Sequence, residues 1–80
     1  MTEAEALCAD LGITYRQLDH WTRRGYLRPV QKREGSGNRR TWPESERQVA
    51  VEMRRLIAAG FTLEAAARGA RALVENGWKD

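Results

Sequence analysis

The chain has 80 residues, of which 41% are hydrophobic and 31% charged, and its formal net charge is +3. This length predicts one small domain, and this composition is typical of a globular protein rather than a disordered chain. No apolar run approaches the roughly 20 residues that cross a bilayer, and Glu3 and Glu5 are unlike the cationic start of a signal peptide. We therefore expect a cytoplasmic protein with no membrane partner.

A single cysteine and a single histidine limit the chemistry that the chain can perform. Cys8 cannot form an internal disulfide, and together with His20 it cannot supply the four protein ligands of a structural zinc site. No second histidine, glycine-rich phosphate loop or inward-facing pair of carboxylates accompanies His20. We therefore expect no catalytic residues, no bound metal and no cofactor, and we predict that the protein is not an enzyme.

The positive charge is concentrated in one stretch of the chain. Residues 16–40 contain eight basic and two acidic residues, a net of +6, whereas the other residues contain six basic and nine acidic residues, a net of −3. Such a concentration of cations predicts a phosphate-binding surface. Charge alone does not distinguish nucleic acid from an anionic membrane or from a solvated face, so the local architecture has to be considered.

Two short helices joined by a tight turn are predicted at the start of the chain. Apolar residues recur at i, i+3, i+4 and i+7 over residues 4–11, and Gly12 is expected to end this first helix. Thr14 and Gln17 have the spacing of a capping box, which predicts the start of a second helix only two residues later. Two helices with a glycine in the turn between them predict a helix-turn-helix over about residues 3–24.

The second helix has an apolar side and a cationic side. At 100° per residue, Leu18 and Trp21 share one side, while Arg16 and Arg23 lie nearly opposite. Guanidinium, aromatic and hydrogen-bonding groups on one helix face are suited to the major groove of DNA. The alternative is a solvated face with an Asp19–Arg23 pair at i, i+4. The candidate DNA-contacting residues of this segment are Thr14, Tyr15, Arg16, Asp19, His20, Arg23 and Arg24.

Residues 28–42 contain five basic residues, two glycines and a proline, without helical periodicity. A first short strand at Pro29 and Val30, a flexible tip at residues 35–37 and a second strand over residues 39–42 are predicted. A basic hairpin directly after a helix-turn-helix predicts a wing whose cations contact the DNA backbone or the minor groove. Trp42 is expected to anchor this hairpin on the core rather than to stack on a base. The candidate wing residues are Lys32, Arg33, Arg39 and Arg40.

Two further helices are predicted over about residues 43–76. The last of them has an apolar stripe, a charged strip and a sector of small residues. The charged strip, expected to be solvated and paired along the helix, consists of Glu64, Arg68, Arg71 and Glu75. The small residues would let another backbone approach closely, and the alternative is an exposed alanine-rich helix favoured by its helix propensity. The candidate self-association surface consists of Ala65, Gly69, Ala72 and Trp78.

Three motifs resemble the DNA-binding domain of the MerR family of winged helix-turn-helix regulators. Residues 12–27 (GITYRQLDHWTRRGYL) resemble the second helix of that family with its following turn, and residues 35–42 (GSGNRRTW) resemble its wing. Residues 60–64 (GFTLE) resemble the turn into its fourth helix. The GITYRQLD form is closest to the branch associated with actinobacteria and their phages. The resemblance implies a mainly α fold, a winged helix-turn-helix of four helices with a short two-stranded β-hairpin wing.

The resemblance also implies contacts with DNA. Base or phosphate contacts in the major groove are implied for Tyr15, Arg16, Asp19 and His20, and backbone contacts for Arg39 and Arg40. Better-known members often carry arginine at the position of Asp19, which could accept from a cytosine amino group, orient Arg16 or Arg23, or repel phosphate. Family members typically continue into a long dimerising helix and an effector-binding domain. This chain ends at Asp80, so we expect no effector domain and no small-molecule effector.

These features favour one function and leave two alternatives. We expect a small transcriptional regulator that binds double-stranded DNA sequence-specifically and associates with the nucleoid, as a weak homodimer or a cooperative multimer on DNA. The first alternative is a phage-type excisionase, a recombination directionality factor that bends DNA as an architectural protein. The second is a protein-interaction module, such as an antirepressor, which would use the small-residue sector and Trp78.

Overall fold

Four helices and one hairpin follow each other in the order α1 (Glu3–Leu11), α2 (Tyr15–Arg23), β1 (Val30–Glu34), β2 (Gly37–Thr41), α3 (Glu44–Ala58) and α4 (Leu63–Glu75). A computed structural model describes residues 3–34 and 37–76, without the side chains of residues 31–39. The prediction of a mainly helical fold with four helices is confirmed. Strands β1 and β2 pair antiparallel, with Val30 opposite Thr41. Within the described ranges, no helix has the length and hydropathy needed to cross a membrane.

The turn between α1 and α2 depends on Gly12 and Thr14. Gly12 has a φ of 70°, in the left-handed region that favours glycine, and its N–H donates to the Cys8 carbonyl at 2.8 Å. The Thr14 hydroxyl accepts from the Gln17 N–H at 3.0 Å, and the Gln17 side-chain oxygen accepts from the Thr14 N–H at 3.0 Å. The predicted capping box is therefore confirmed, and it fixes the residue at which α2 begins.

The core is one cluster of buried residues from all four helices and from the segments on either side of the hairpin. Helix α1 contributes Leu7 and Leu11, and α2 contributes Leu18 and Trp21, because these residues recur at helical spacing on one face. Trp42, directly after β2, is buried in the same cluster, so the prediction that it packs on the core is confirmed. The remaining members of the cluster are Cys8, Ile13, Leu27, Val49, Ala50, Met53, Ala67 and Ala70.

An ion pair between α3 and α4 lies at the edge of this core. The Arg71 guanidinium donates to both oxygens of the Glu46 carboxylate, at 2.7 and 2.9 Å, and to the Tyr26 carbonyl at 2.6 Å. The prediction that Arg71 lies on a solvated face is therefore wrong. Its side chain is only 16% exposed, because it extends from α4 to the Glu46 carboxylate on α3, which is itself 9% exposed.

Two helix carboxylates hold the two ends of the hairpin. Before β1, the Arg28 N–H donates to Glu46 Oε1 at 2.9 Å, and after β2 the Trp42 N–H donates to Glu3 Oε2 at 3.2 Å. An isolated two-stranded hairpin is at best marginally stable in water. The position of β1 and β2 therefore depends on α1 and α3, through Glu3 and Glu46.

Candidate nucleic-acid interface

Helix α2 presents a cationic, aromatic face to solvent because its apolar residues are on the opposite side. Leu18 and Trp21 are buried in the core, and they fix the rotation of the helix about its axis. Asp19 is half-buried at the edge of the outward face. The other predicted residues of this segment are all exposed, namely Thr14, Tyr15, Arg16, His20, Arg23 and Arg24.

Two of these residues also have structural roles at the ends of α2. The Thr14 hydroxyl is the N-cap acceptor for the Gln17 N–H, so it contributes to the geometry of the helix start. Arg24 is the C-cap residue, its N–H donates to the His20 carbonyl at 3.0 Å, and its guanidinium carbon lies 5.9 Å from the centroid of the Tyr26 ring. That distance is within the range of a cation–π contact, which restrains the Arg24 side chain beside α2.

Asp19 connects α2 to the hairpin. One carboxylate oxygen lies 2.9 Å from Arg23 Nε within α2, and the other lies 3.8 Å from Arg40 Nη1 on β2. The side chains of Arg23 and Arg40 remain 76% and 41% exposed, so neither cation is buried by its ion pair. The cationic side of α2 and the end of β2 therefore belong to one continuous surface.

The other predicted wing residues are described through their backbone. Lys32 on β1 is opposite Arg39 on β2, and Arg33 is opposite Asn38. The side chains of Lys32, Arg33 and Arg39 lie outside the described part of the structure, as do the tip residues 35 and 36. Their roles in binding DNA accordingly stay predictions, while Arg40 is positioned by its contact with Asp19.

The charge distribution of the fold leaves positive charge on the side of α2. The Arg16 side chain is exposed and makes no ion pair with another described residue. On the other helices, each of several arginines has a nearby carboxylate that compensates its charge. These pairs are Arg47 with Asp10, Arg55 with Glu52, Arg68 with Glu64, and Arg71 with Glu46. Residues 16–40 keep a net charge of +6, and among their described cations Arg16 has no carboxylate partner, so this part of the chain keeps the excess positive charge that a polyanion requires.

The small-residue sector of α4 lies beside an open apolar groove. Ala65, Gly69 and Ala72 line this groove of about 490 Å³ together with Leu56, Phe61, Leu73 and Asn76. A Cβ atom at Gly69 would lie 3.4 Å from the Leu56 side chain, so part of the sector already packs against α3. Trp78, the fourth candidate for self-association, lies outside the described residues. Binding of a second chain at this sector stays a prediction.

Sequence reasoning missed the residues that position the hairpin, Glu3 and Glu46. Each accepts a backbone N–H at one end of the hairpin, and Glu46 also pairs with Arg71. A signal for Glu46 was present, since it precedes Val49, Ala50 and Met53 at the i, i+3, i+4, i+7 spacing of a buried face. A carboxylate at a core position of such a pattern predicts a buried polar partner.

The comparisons with known proteins agree with this architecture. A family model described as "MerR HTH family regulatory protein" matches residues 3–73. The chain is 37% identical over 57 residues to an uncharacterised HTH-type transcriptional regulator of Mycobacterium bovis and to one from each of two strains of Mycobacterium tuberculosis. These alignments cover 70% of this chain and 25% of each relative, so the chain spans about a quarter of the length of the curated relatives it matches.

The matched region includes α1, α2, β1, β2 and α3, and all of α4 except its last two residues. Both kinds of comparison are to regulatory proteins and not to enzymes. The match therefore covers the helix-turn-helix, the hairpin and the helices that support them, and the chain belongs to the MerR family of helix-turn-helix regulatory proteins.

Proposed function

We propose that this protein binds double-stranded DNA sequence-specifically and regulates transcription. Residues 3–24 act as the helix-turn-helix, residues 28–42 as the wing, and the helices within residues 43–76 as their support. The main support comes from Asp19, whose two ion pairs bring Arg23 of α2 and Arg40 of β2 onto one exposed surface. Membership of a family of regulatory proteins supports the transcriptional role.

Helix α2 enters the major groove in this proposal. Its start is fixed by the capping box at Thr14, so Tyr15 and Arg16 extend from the first turn with a defined direction. The N-terminal residues of a recognition helix are those that reach base edges in helix-turn-helix proteins. Arg16 reads guanine through its guanidinium fork, and His20, one turn further along the exposed face, contacts a base or a phosphate.

The hairpin acts as a wing that follows the DNA backbone. Arg40 and the other predicted wing cations bind phosphates, which fixes the register of the protein on the duplex without reading sequence. Glu3 and Glu46 hold the ends of the hairpin against α1 and α3, so the wing keeps its position relative to α2. A readout helix and a wing that are held together can act as one rigid interface.

Affinity measured against salt tests this proposal. Sites enriched from a random duplex library and an unrelated duplex are titrated with the intact protein by fluorescence anisotropy over 50–300 mM salt, about a sixfold range. Engagement of about four to six phosphates gives a slope of log K against log[salt] near −4 to −5. The enriched site should bind at least about a thousandfold tighter than the unrelated duplex. A flat salt response, or equal affinity for the two duplexes, would contradict the proposal.

The same titration distinguishes regulation from an architectural role. Duplexes with one or several enriched sites are compared by electrophoretic mobility, and bending is measured by placing the site at different positions in the fragment. Saturable binding of a discrete complex agrees with a regulator, and cooperative growth along the duplex with bending indicates an architectural protein. The family match to regulatory proteins favours the first outcome.

A further inference from the structure

We infer that Asp19 is a specificity-determining residue that competes with DNA for two arginines of the interface. This inference rests on the proposed function. It starts from the contacts of one carboxylate, which lies 2.9 Å from Arg23 Nε and 3.8 Å from Arg40 Nη1. The two cations come from different elements, α2 and β2, so Asp19 is a counter-charge between the two parts of the cationic surface.

The two ion pairs differ in how easily they open. The Asp19–Arg23 pair is within one helix turn, and Arg23 is 76% exposed, so solvent and ions reach it readily. Arg40 is 41% exposed and lies at the distance limit of an ion pair, so a phosphate that approaches β2 can replace the carboxylate as its partner. Both arginines can therefore turn towards DNA, at the cost of their contacts with Asp19.

The carboxylate itself then needs a new donor. Asp19 is 29% exposed, and an ionised carboxylate only accepts hydrogen bonds, so it gains nothing from phosphate oxygens nearby. In the major groove the available donors are the amino groups of cytosine N4 and adenine N6. A duplex that places an amino group opposite Asp19 satisfies the carboxylate, whereas any other base leaves it unpaired beside phosphates. Asp19 therefore lowers the affinity for most DNA sequences, but not for those that have cytosine or adenine at the position opposite its carboxylate.

The test compares Asp19→Ala with Glu64→Ala. Both changes remove one negative charge from a carboxylate that pairs with an arginine at i, i+4, but the Glu64–Arg68 pair is on α4 and is 4.0 Å long. Any effect of net charge alone is therefore the same in both variants. Asp19→Leu, which removes the charge and both acceptor oxygens and has a high helix propensity, replaces Asp19→Ala if thermal unfolding shows that the alanine variant is not folded.

Affinity for the enriched and random duplexes is measured against salt for each variant. Asp19→Ala should bind random duplex at least about threefold tighter than Glu64→Ala, with a salt slope steeper by about 0.9 to 1.8, because one or two arginines become free for phosphates. Sites that the Asp19→Ala variant enriches from the random library should no longer prefer cytosine or adenine at one position. The ratio of affinities for the preferred and the other bases at that position should fall by about fivefold or more. In a background of Arg23→Ala and Arg40→Ala, removing Asp19 should no longer steepen the slope.

Each outcome decides between the two claims. If the unmodified protein binds duplexes with the expected slope and preference, but Asp19→Ala behaves like Glu64→Ala in random binding or in base preference, only the inference about Asp19 is overturned. If the unmodified protein shows no salt-dependent binding to any duplex, the proposed function fails, and the role of Asp19 fails with it. Tighter random binding together with loss of the base preference supports both.

Discussion

Arg71 of α4 and Glu46 of α3 form a two-point ion pair that also holds the segment between α2 and β1. The guanidinium contacts both carboxylate oxygens, at 2.7 and 2.9 Å, and the Tyr26 carbonyl, while Glu46 accepts from the Arg28 N–H. One pair of side chains therefore connects two supporting helices to the chain that leads into the hairpin. Loss of either partner leaves a charge in a largely buried position.

Arg71→Met should strongly destabilise the protein. Because Glu46 would lose its main counter-charge in a site that is 9% exposed, we expect the free energy of unfolding to fall by about 3–5 kcal/mol. Urea denaturation followed by circular dichroism measures the change. The matched control is Arg68→Met, whose pair with Glu64 is exposed and 4.0 Å long, and which should cost no more than about 1 kcal/mol. Equal stability of the two variants would contradict a structural role for Arg71.

Glu46 should make stability depend on pH in the acid range. Burial raises the pKa of its carboxyl, but hydrogen bonds from Arg71 and the Arg28 N–H, with the charges of both arginines, outweigh burial and lower the pKa below the ordinary value. The unfolded chain therefore takes up this proton at a higher pH than the folded protein does. The contribution of Glu46 to the free energy of unfolding is complete above the ordinary glutamate pKa of about 4.3. It is lost as the pH falls through the lower pKa of this carboxyl in the folded protein.

This dependence is measured by urea denaturation between about pH 3 and pH 7. The unmodified protein should lose stability as the pH falls below about 4.3, and Glu46→Gln, which has no proton to bind there, should lose less over the same interval. Glu64→Gln, at an exposed position of α4, should follow the unmodified protein. Parallel pH profiles for the unmodified protein and Glu46→Gln would show that Glu46 is not the group responsible.

Arg16→Ala and Arg40→Ala should weaken DNA binding in different ways. If Arg16 reads a base, its loss should cost about 1–3 kcal/mol on the enriched site and relax the preference at one position. Loss of Arg40 should weaken all duplexes alike and reduce the salt slope by at most about 1, and by the full amount in a background of Asp19→Ala, where the carboxylate no longer competes for this arginine. Anisotropy titrations on enriched and random duplexes measure both effects, with Arg68→Ala on α4 as the control. Equal losses on the two duplexes for Arg16→Ala would overturn its assignment to readout.

Substitution by alanine should lower the stability of the protein at Gly12 and raise it at Gly69. Gly12 has a φ of 70° and a Cβ there would lie 3.3 Å from the Arg54 guanidinium, so Gly12→Ala should cost about 1–2 kcal/mol. Gly69 lies inside α4, and its added Cβ would meet Leu56 Cδ1 at 3.4 Å, an ordinary contact. Gly69→Ala should therefore stabilise the protein by about 0.5–1 kcal/mol through helix propensity. Thermal and urea unfolding decide the sign, and a destabilised Gly69→Ala would show that Leu56 cannot adjust.

Cys8 should react slowly with thiol reagents in the folded protein. Burial raises the pKa of the Cys8 thiol, which lowers the fraction of reactive thiolate, and the side chain lies in the core. The rate of reaction with Ellman's reagent at neutral pH should increase strongly when the protein is unfolded in urea. A rate that is the same in the folded and unfolded states would contradict the burial of this thiol.

The features that sequence predicted well are those set by neighbouring residues. The capping box at Thr14 and Gln17, the glycine turn at Gly12 and the apolar face of α2 all depend on contacts within a few residues. These are local preferences of the backbone, so they can be predicted from spacing alone. The exposed side of α2 could be predicted from this apolar face, because burial of Leu18 and Trp21 determines which residues of the helix face solvent.

The pair between Glu46 and Arg71 could not be predicted in the same way. Arg71 follows Ala67 and Ala70 and precedes Val74 at the spacing of a buried face, but a cation in a charged strip indicated solvent instead. Whether it meets a carboxylate depends on how α4 lies against α3, which is a property of the tertiary fold. The contact between Asp19 and Arg40 has the same origin, since it depends on where the hairpin is placed.

The attachment of the hairpin at its two ends has a consequence for how this domain can diversify. Arg28 and Trp42 are fixed by Glu46 and Glu3, whereas the strands reverse direction far from both contacts, between Glu34 and Gly37. Insertions or deletions there alter how far the hairpin extends without disturbing either attachment. Under the proposed function, a longer or shorter hairpin would cover a longer or shorter footprint on a duplex while the helical body stays the same.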